Sequence, residues 1–323
     1  MVPDRREDEH ARERATWSTM APDRRVGGMN DLVKWARAYV LSDELAYKLD
    51  PPEPPRVPRE PSVAGFAALE RPRAPGRPKE LRVVARAKGP RGSLVEPRKR
   101  AHVLHTFVHH ELQAAELMAL ALVAFPQTPR AFQVGLLRIF FDEIRHMQAY
   151  VARLHTLGHR VGDFPVRDWF WERLGDVPSP TAFVAAMGVG FEGGNLDHTA
   201  RFSALFEAAS DAESAAIVRR VGEEEIMHVR FGLTWLGRFL GKPVVRFEDL
   251  LKALPPPLTP SVMRGPSLDR PSRKRAGYTD EFLDAFDAFV VAHPSGVRSP
   301  ARAPDDARSE EPIPRATSPA EST

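Results

Sequence analysis

Twice in this sequence a glutamate and a histidine stand three residues apart inside an apolar helical stripe, each time after a further glutamate at nearly the same distance. Glu143 and His146 make one pair, Glu225 and His228 the other. Glu111 precedes Glu143 by 32 residues, and Glu192 precedes Glu225 by 33. Residues three apart share one face of a helix. In the first helical pattern Leu104, Phe107, Val108, Ala115, Met118, Leu122 and Phe125 form the stripe, with Glu111 at its middle. In the second, Phe132, Leu136, Phe140, Met147, Tyr150, Val151 and Leu154 frame Glu143, with His146 at the flank. In the fourth, Val218, Val221, Val229, Leu236 and Phe239 enclose Glu225 and His228. Glu192 lies toward the edge of the third stripe and rests on spacing more than on position.

Carboxylates and imidazoles facing an apolar core must be paired or bound to metal, because burying an isolated charge is prohibitively unfavourable. Two Glu-x-x-His pairs on two helices, with a single Glu from each of two others, supply four carboxylates and two imidazoles for two cations. Di-iron and di-manganese carboxylate bundles use this arrangement. The expected fold is therefore all-α: an antiparallel four-helix bundle with one long crossover, one helical hairpin being used twice. The strings Asp142-Glu143-Ile144-Arg145-His146 and Glu224-Glu225-Ile226-Met227-His228 repeat that hairpin locally. Oxygen and imidazole ligands suit two iron ions, or iron and manganese. The chain has no cysteine, which excludes disulfides, iron–sulfur clusters and thiolate zinc sites.

Helical patterns run over 101–125, 129–157, 180–208 and 212–240, punctuated by Pro126, Pro129, Gly158, Gly162 and Pro165. The organisation that follows has a polar tail with a short helix over 1–50 and a proline-rich, basic, extended arm over 51–100. The bundle occupies 101–241, an extension with one helix covers 242–292, and a disordered tail fills 293–323. The arm holds 11 prolines and a net charge of +8, so regular helix or sheet is blocked there. The N-terminus lacks the apolar core of a secretory signal. The longest apolar run, Leu117 to Pro126, is about half a membrane span. The chain is expected to be cytoplasmic, with no membrane contact.

Beyond the residues themselves, the segments HHELQAAELMALAL (109–122), DEIRHMQAY (142–150), GDFPVRDWFW (162–171), DAESAAIVRR (211–220) and EEIMHV (224–229) are similar to a bacterial ferritin-like family catalogued as a domain of unknown function. The resemblance covers roughly 72–241, with PSRKRAGYTDEFL at 271–283 as a further match. It implies a ferritin-like bundle with ligands at Glu111, Glu143, His146, Glu192, Glu225 and His228. One motif departs: where the family carries a Glu followed by Ala-Arg-Gly-Leu-Asp, this chain reads Glu192-Gly193-Gly194-Asn195-Leu196-Asp197.

Gly188, Gly190, Gly193 and Gly194 weaken the third helix and favour a π-bulge or an opened backbone beside the site. Tyr150 faces the same core as Glu143, and Asp197 and His198 are candidates to orient a metal-bound histidine. His102, His105, His109 and Glu116 share another face, read as solvated, with a surface metal site as the sharper alternative. The leading functional expectation is an oxidoreductase activating O2 or peroxide on a small-molecule substrate, with a homodimer left open. A ferroxidase or storage protein is the second reading. It is disfavoured by the second Glu-x-x-His, since ferritin-like storage proteins typically carry one such pair per chain. A metal-free interaction module using the basic arm, or nucleic-acid binding by it, ranks below both.

Overall fold

A computed structural model of the chain describes residues 29–58, 70–87 and 93–292. The disorder expected at 1–28 and 293–323, and parts of the arm, lie outside the described residues. Among the described residues the chain is all-helical, and the one sheet-like contact is an isolated parallel bridge between Val83 and Val166.

The long helices form where the apolar periodicity is strongest and stop where proline or glycine interrupts it. Helix α1 spans Met29–Leu41 and α2 Leu45–Leu49. Helix α3, Pro97–Ala124, starts earlier than the stripe alone indicates. Pro97 sits in its first turn, where a missing N–H removes no helical hydrogen bond. Helix α4, Arg130–Thr156, follows after a loop too short for anything but antiparallel packing on α3. Gln133 fixes that loop by donating to the Pro126 and Thr128 carbonyls at 2.8 and 3.0 Å.

The crossover carries a single helical turn, α5 (Trp171–Leu174). Helix α6, Pro180–Phe183, is capped by the Ser179 hydroxyl, then continues as a π-helix over Val184–Phe191 and as α7 over Glu192–Ala208. Helix α8, Ala212–Leu240, begins at the Asp211 cap and ends at Gly241, whose φ of +66° suits glycine. It packs along α7 and the π-helix, and α4 meets α8. A Cβ on Gly188 would lie 2.8 Å from the Gly232 Cα, so the π-helix and α8 cross through paired glycines. The π-helix thus lies in the glycine-rich stretch that the sequence marks as weak.

One expectation is corrected on α3. Its face bearing His105, His109 and Glu116 is not solvated: α1, α2, the arm and the crossover cover it. Glu116 is fully buried and accepts hydrogen bonds from Lys48 Nζ at 2.8 Å and Arg77 Nη1 at 2.5 Å. Arg77 also donates to Asp168, and His109 Nε2 lies 3.1 Å from the same carboxylate. His105 accepts from the Gly162 amide at 2.8 Å, and the half-buried His102 stacks on Phe164. The row is thus a buried seam against the covering segments, and no group of the kind that could hold a metal ion forms on it among the described residues. A helical pattern reveals a polar face but not what covers it.

The extension also departs from expectation. Besides α11 (Asp280–Ala292) it contains α9 (Phe247–Ala253), a 3₁₀ turn at Pro260–Val262 and α10 (Arg270–Ala276). It lies against the π-helix, α7 and α8. Buried Arg273 makes a two-pronged bond to Asp197 at 2.9 and 2.8 Å, and the Tyr278 hydroxyl donates to the Val189 carbonyl at 2.6 Å. No helix among the described residues is long and apolar enough to cross a membrane.

Removing one partner of a buried ion pair leaves the other charge uncompensated. Lys48→Met should therefore destabilise the protein by about 3 kcal/mol in urea unfolding, Arg77 retaining part of the balance for Glu116. A loss below about 1 kcal/mol would show that Arg77 alone suffices.

Candidate metal centre

Each hairpin delivers its charged residues to the same depth. Glu111 comes from α3, Glu143 and His146 from α4, Glu192 from the first residue of α7, and Glu225 and His228 from α8. All six are 5% exposed or less. Their ligand atoms fall into two clusters, each within 4.8 Å: Glu111, Glu143, His146 and Glu225, and then Glu143, Glu192, Glu225 and His228. Glu143 and Glu225 belong to both, so they lie between the clusters while Glu111 and Glu192 lie at the ends. His146 Nδ1 sits 3.5 Å from Glu143 and 3.4 Å from Glu225; His228 Nδ1 sits 3.1 and 2.8 Å from the same two carboxylates.

These clusters could hold metal ions. Both oxygens of Glu143, Oε2 of Glu225, Oε1 of Glu192 and Nδ1 of both histidines are buried without a hydrogen-bond partner. Buried polar atoms are normally satisfied. Five side chains pointing six such atoms at one volume, with Glu111 beside them, match the donor set that a pair of hard or borderline cations needs.

The Nε2 atoms point the other way, toward two carboxylates outside the six expected from the sequence. His146 Nε2 lies 3.0 Å from Glu224, and His228 Nε2 lies 3.2 Å from Asp142. Each carboxylate immediately precedes the glutamate of its own Glu-x-x-His and reaches across to the histidine of the other. A residue beside a core-facing position turns about 100° off the stripe, which aims it at the neighbouring helix when two helices pack closely. The doublets Asp142-Glu143 and Glu224-Glu225 were the visible signal. Arg145 links the two carboxylates, pairing with Asp142 and, at 2.9 Å, with Glu224.

Burial and mutual repulsion set the charge state. Burial, then the charges of Glu143 and Glu225, raise the Glu111 carboxyl; burial, then Glu225 and Glu143, raise that of Glu192. Burial alone would lower His146, but Glu143 and Glu225 override it and lift it to about 11. His228 is raised against burial by Glu225, Asp142 and Glu143. Burial would raise Glu225, but the two histidines hold it below the usual range. Without a cation, the protonated histidines thus balance Glu143 and Glu225, while Glu111 and Glu192 retain protons.

The other candidates divide. Tyr150 is buried beside Phe107 at 5.4 Å, its hydroxyl raised by burial and then by Glu111. Asp197 does not orient a histidine: Arg273 and the Gly265 and Asp269 amides occupy both its oxygens. His198 turns instead into a cavity of about 210 Å³ that reaches Glu111 and Glu192. Asn195 donates to Glu225 at 3.1 Å. In the altered stretch, a Cβ on Gly193 would meet the Tyr278 hydroxyl at 2.4 Å, so the extension fills the space beside that turn.

Partners of metal-bound imidazoles typically change affinity by about 10- to 100-fold. Asp142→Asn and Glu224→Gln should each weaken binding of manganese within that range while leaving the helical circular dichroism unchanged. Cation uptake should also release protons, because the raised His146, His228, Glu111 and Glu192 groups must give theirs up. Calorimetry in buffers of differing ionisation heat should find up to about four protons per cation pair, with affinity falling as pH falls. Release near zero would contradict the charge state described.

Comparison with curated proteins and with solved structures returns no match. A family model does match, under the description "Protein of unknown function (DUF455)", over residues 33–284. That span runs from α1 into α11, taking in the arm, the four long helical segments and the extension that covers them. The chain belongs to the DUF455 family of proteins of unknown function.

Proposed function

We propose that α3, α4, α8 and the α6–π–α7 segment form a ferritin-like four-helix bundle around a two-cation site. In this reading Glu111, Glu143, His146, Glu192, Glu225 and His228 hold two iron ions, or iron and manganese. The protein is then an oxidoreductase that activates O2 or peroxide on a small-molecule substrate. The observation that carries the reading is the set of buried, unpartnered ligand atoms from both hairpins aimed at one volume. A metal-free reading must balance four buried carboxyls with two protonated imidazoles and retained protons alone, which is costly at this depth.

Bound iron or manganese would supply the redox step, exchanging electrons with the oxidant. The chain supplies the rest. Glu143 and Glu225 lie between the two histidines, and Asp142 and Glu224 fix the imidazole orientations from outside. Burial excludes water from the histidine side, and the cavity leaves the Glu111 and Glu192 side open to a reactant. Asn195 steadies Glu225 through its amide. A storage role is less well supported, because the same cavity is walled by aromatic rings and carries no acidic path for ions other than the ligands themselves.

Metal analysis of purified protein should find close to two iron or manganese ions per chain, falling below about one in Glu143→Ala or His228→Ala. Unchanged metal content in both variants would sink the site. Adding excess ferrous iron in air should leave no mineral core. Many ions retained per chain would select the storage reading over the oxidoreductase.

A further inference from the structure

The cavity beside Glu111 and Glu192 has a composition that selects what it can hold. Its walls are Phe107 and Phe202 on one side and Trp169, Phe170 and Phe191 on the other. Phe170 and Phe191 stack at 5.0 Å, and Trp169 packs 5.3 Å from Phe191. Walls built of aromatic rings, presented partly by face and partly by edge, suit an aromatic guest. An apolar cavity of about 150 Å³ binds benzene, so about 210 Å³ has room for one substituted ring.

The polar atoms are few and specific. His110 and His198 both line the cavity, and neither makes a hydrogen bond to the protein among the described residues. No Lys or Arg lines it, so in the metal-free chain a carboxylate, phosphate or sulfate on the guest would lack a counter-charge there. Two imidazoles can donate to or accept from a hydroxyl without needing charge on it. The ring walls are held in place: Phe170 and Trp171 amides donate to Gln113 Oε1 at 3.1 and 3.3 Å. Asp168, next to Trp169, is clamped by Arg77 and His109.

We infer that this cavity is the substrate site and that its substrate is a small, uncharged aromatic molecule bearing a hydroxyl, read by His110 and His198. The inference deepens the oxidoreductase reading and rests on it for the word substrate; the binding site stands on the cavity alone. Binding of 4-methylphenol, toluene and 4-methylbenzoate to the full chain, metal-free and manganese-loaded, can be followed by calorimetry. The phenol should bind at a single site, toluene about tenfold more weakly for want of one hydrogen bond, and the benzoate not measurably to the metal-free chain. His110→Phe with His198→Phe should abolish the preference for the phenol while toluene still binds. Ala114→Phe and Phe202→Trp fill the cavity from opposite walls, and either one that folds should abolish phenol binding. Manganese content measured on the same samples separates the two ideas. Two ions retained with no phenol binding, or equal binding by a filled variant, overturns the aromatic site while the metal centre stands. Phenol binding with no metal uptake keeps the site and removes the oxidoreductase reading. Tight binding of the benzoate to the metal-free chain would also overturn the inference, since it requires a cation that the walls lack.

Discussion

Four carboxylates and two imidazoles share one interior volume, and the rest of the molecule is arranged around that fact. At a separation of 4 Å and an effective dielectric of about 20, two like charges repel by about 4 kcal/mol. Glu143 and Glu225 tolerate each other because a histidine stands beside both, with nitrogen-to-oxygen distances between 2.8 and 3.5 Å. Glu111 and Glu192, farther from the imidazoles, must hold protons or a cation. Helices that carried such a load alone would separate. They are kept together by the apolar stripes on either side: Phe132, Leu136 and Phe140 toward one end, Tyr150 and Leu154 toward the other, all essentially buried.

How much of this the sequence discloses follows from the range of each signal. Helical periodicity is local and strong, so the long helices and five of the six central residues could be read from position, with Glu192 added by repeat spacing. What escaped was relational. Asp142 and Glu224 act across a helix–helix interface, and no single-helix pattern says which neighbour a flank residue will meet. Lys48 and Arg77, 68 and 39 residues before Glu116, turn a polar face into a buried seam. Only the fold brings them there. The same holds for Arg273, which takes Asp197 from 76 residues away, and for α9 and α10, whose seven residues each are too few to build a readable stripe.

The segments outside the four long helical stretches are therefore structural partners of the site and not appendages. Lys48 and Arg77 satisfy Glu116, and Arg77 continues to Asp168. That carboxylate anchors the crossover just before Trp169 and Phe170, which wall the cavity. A buried ion network on one face of α3 thus positions aromatic rings near Glu111 on another. On the opposite flank the extension braces the π-helix, with Tyr278 bonded to the Val189 carbonyl and Met263 packed where Gly190 and Gly194 leave room. The Tyr278 hydroxyl thereby ties the extension directly to the backbone of the π-helix.

The two sides of the centre are consequently unlike. The histidine side is covered by Asp142, Glu224 and Arg145, a carboxylate–guanidinium lattice in which the carboxylates hydrogen-bond the imidazoles. On the glutamate side, Glu111 and Glu192 border an apolar, ring-lined space reached past His110 and His198. Glu192 begins α7 immediately after the π-helix ends. The wider π turn therefore decides where that carboxylate, the least readable of the six in the sequence, enters the core. If the glycines of this stretch were replaced by better helix formers, Gly188 would collide with Gly232 and the α8 crossing would have to open. The weak helix propensity is thus the condition for a close crossing, and the close crossing carries Glu192 to the depth of Glu225.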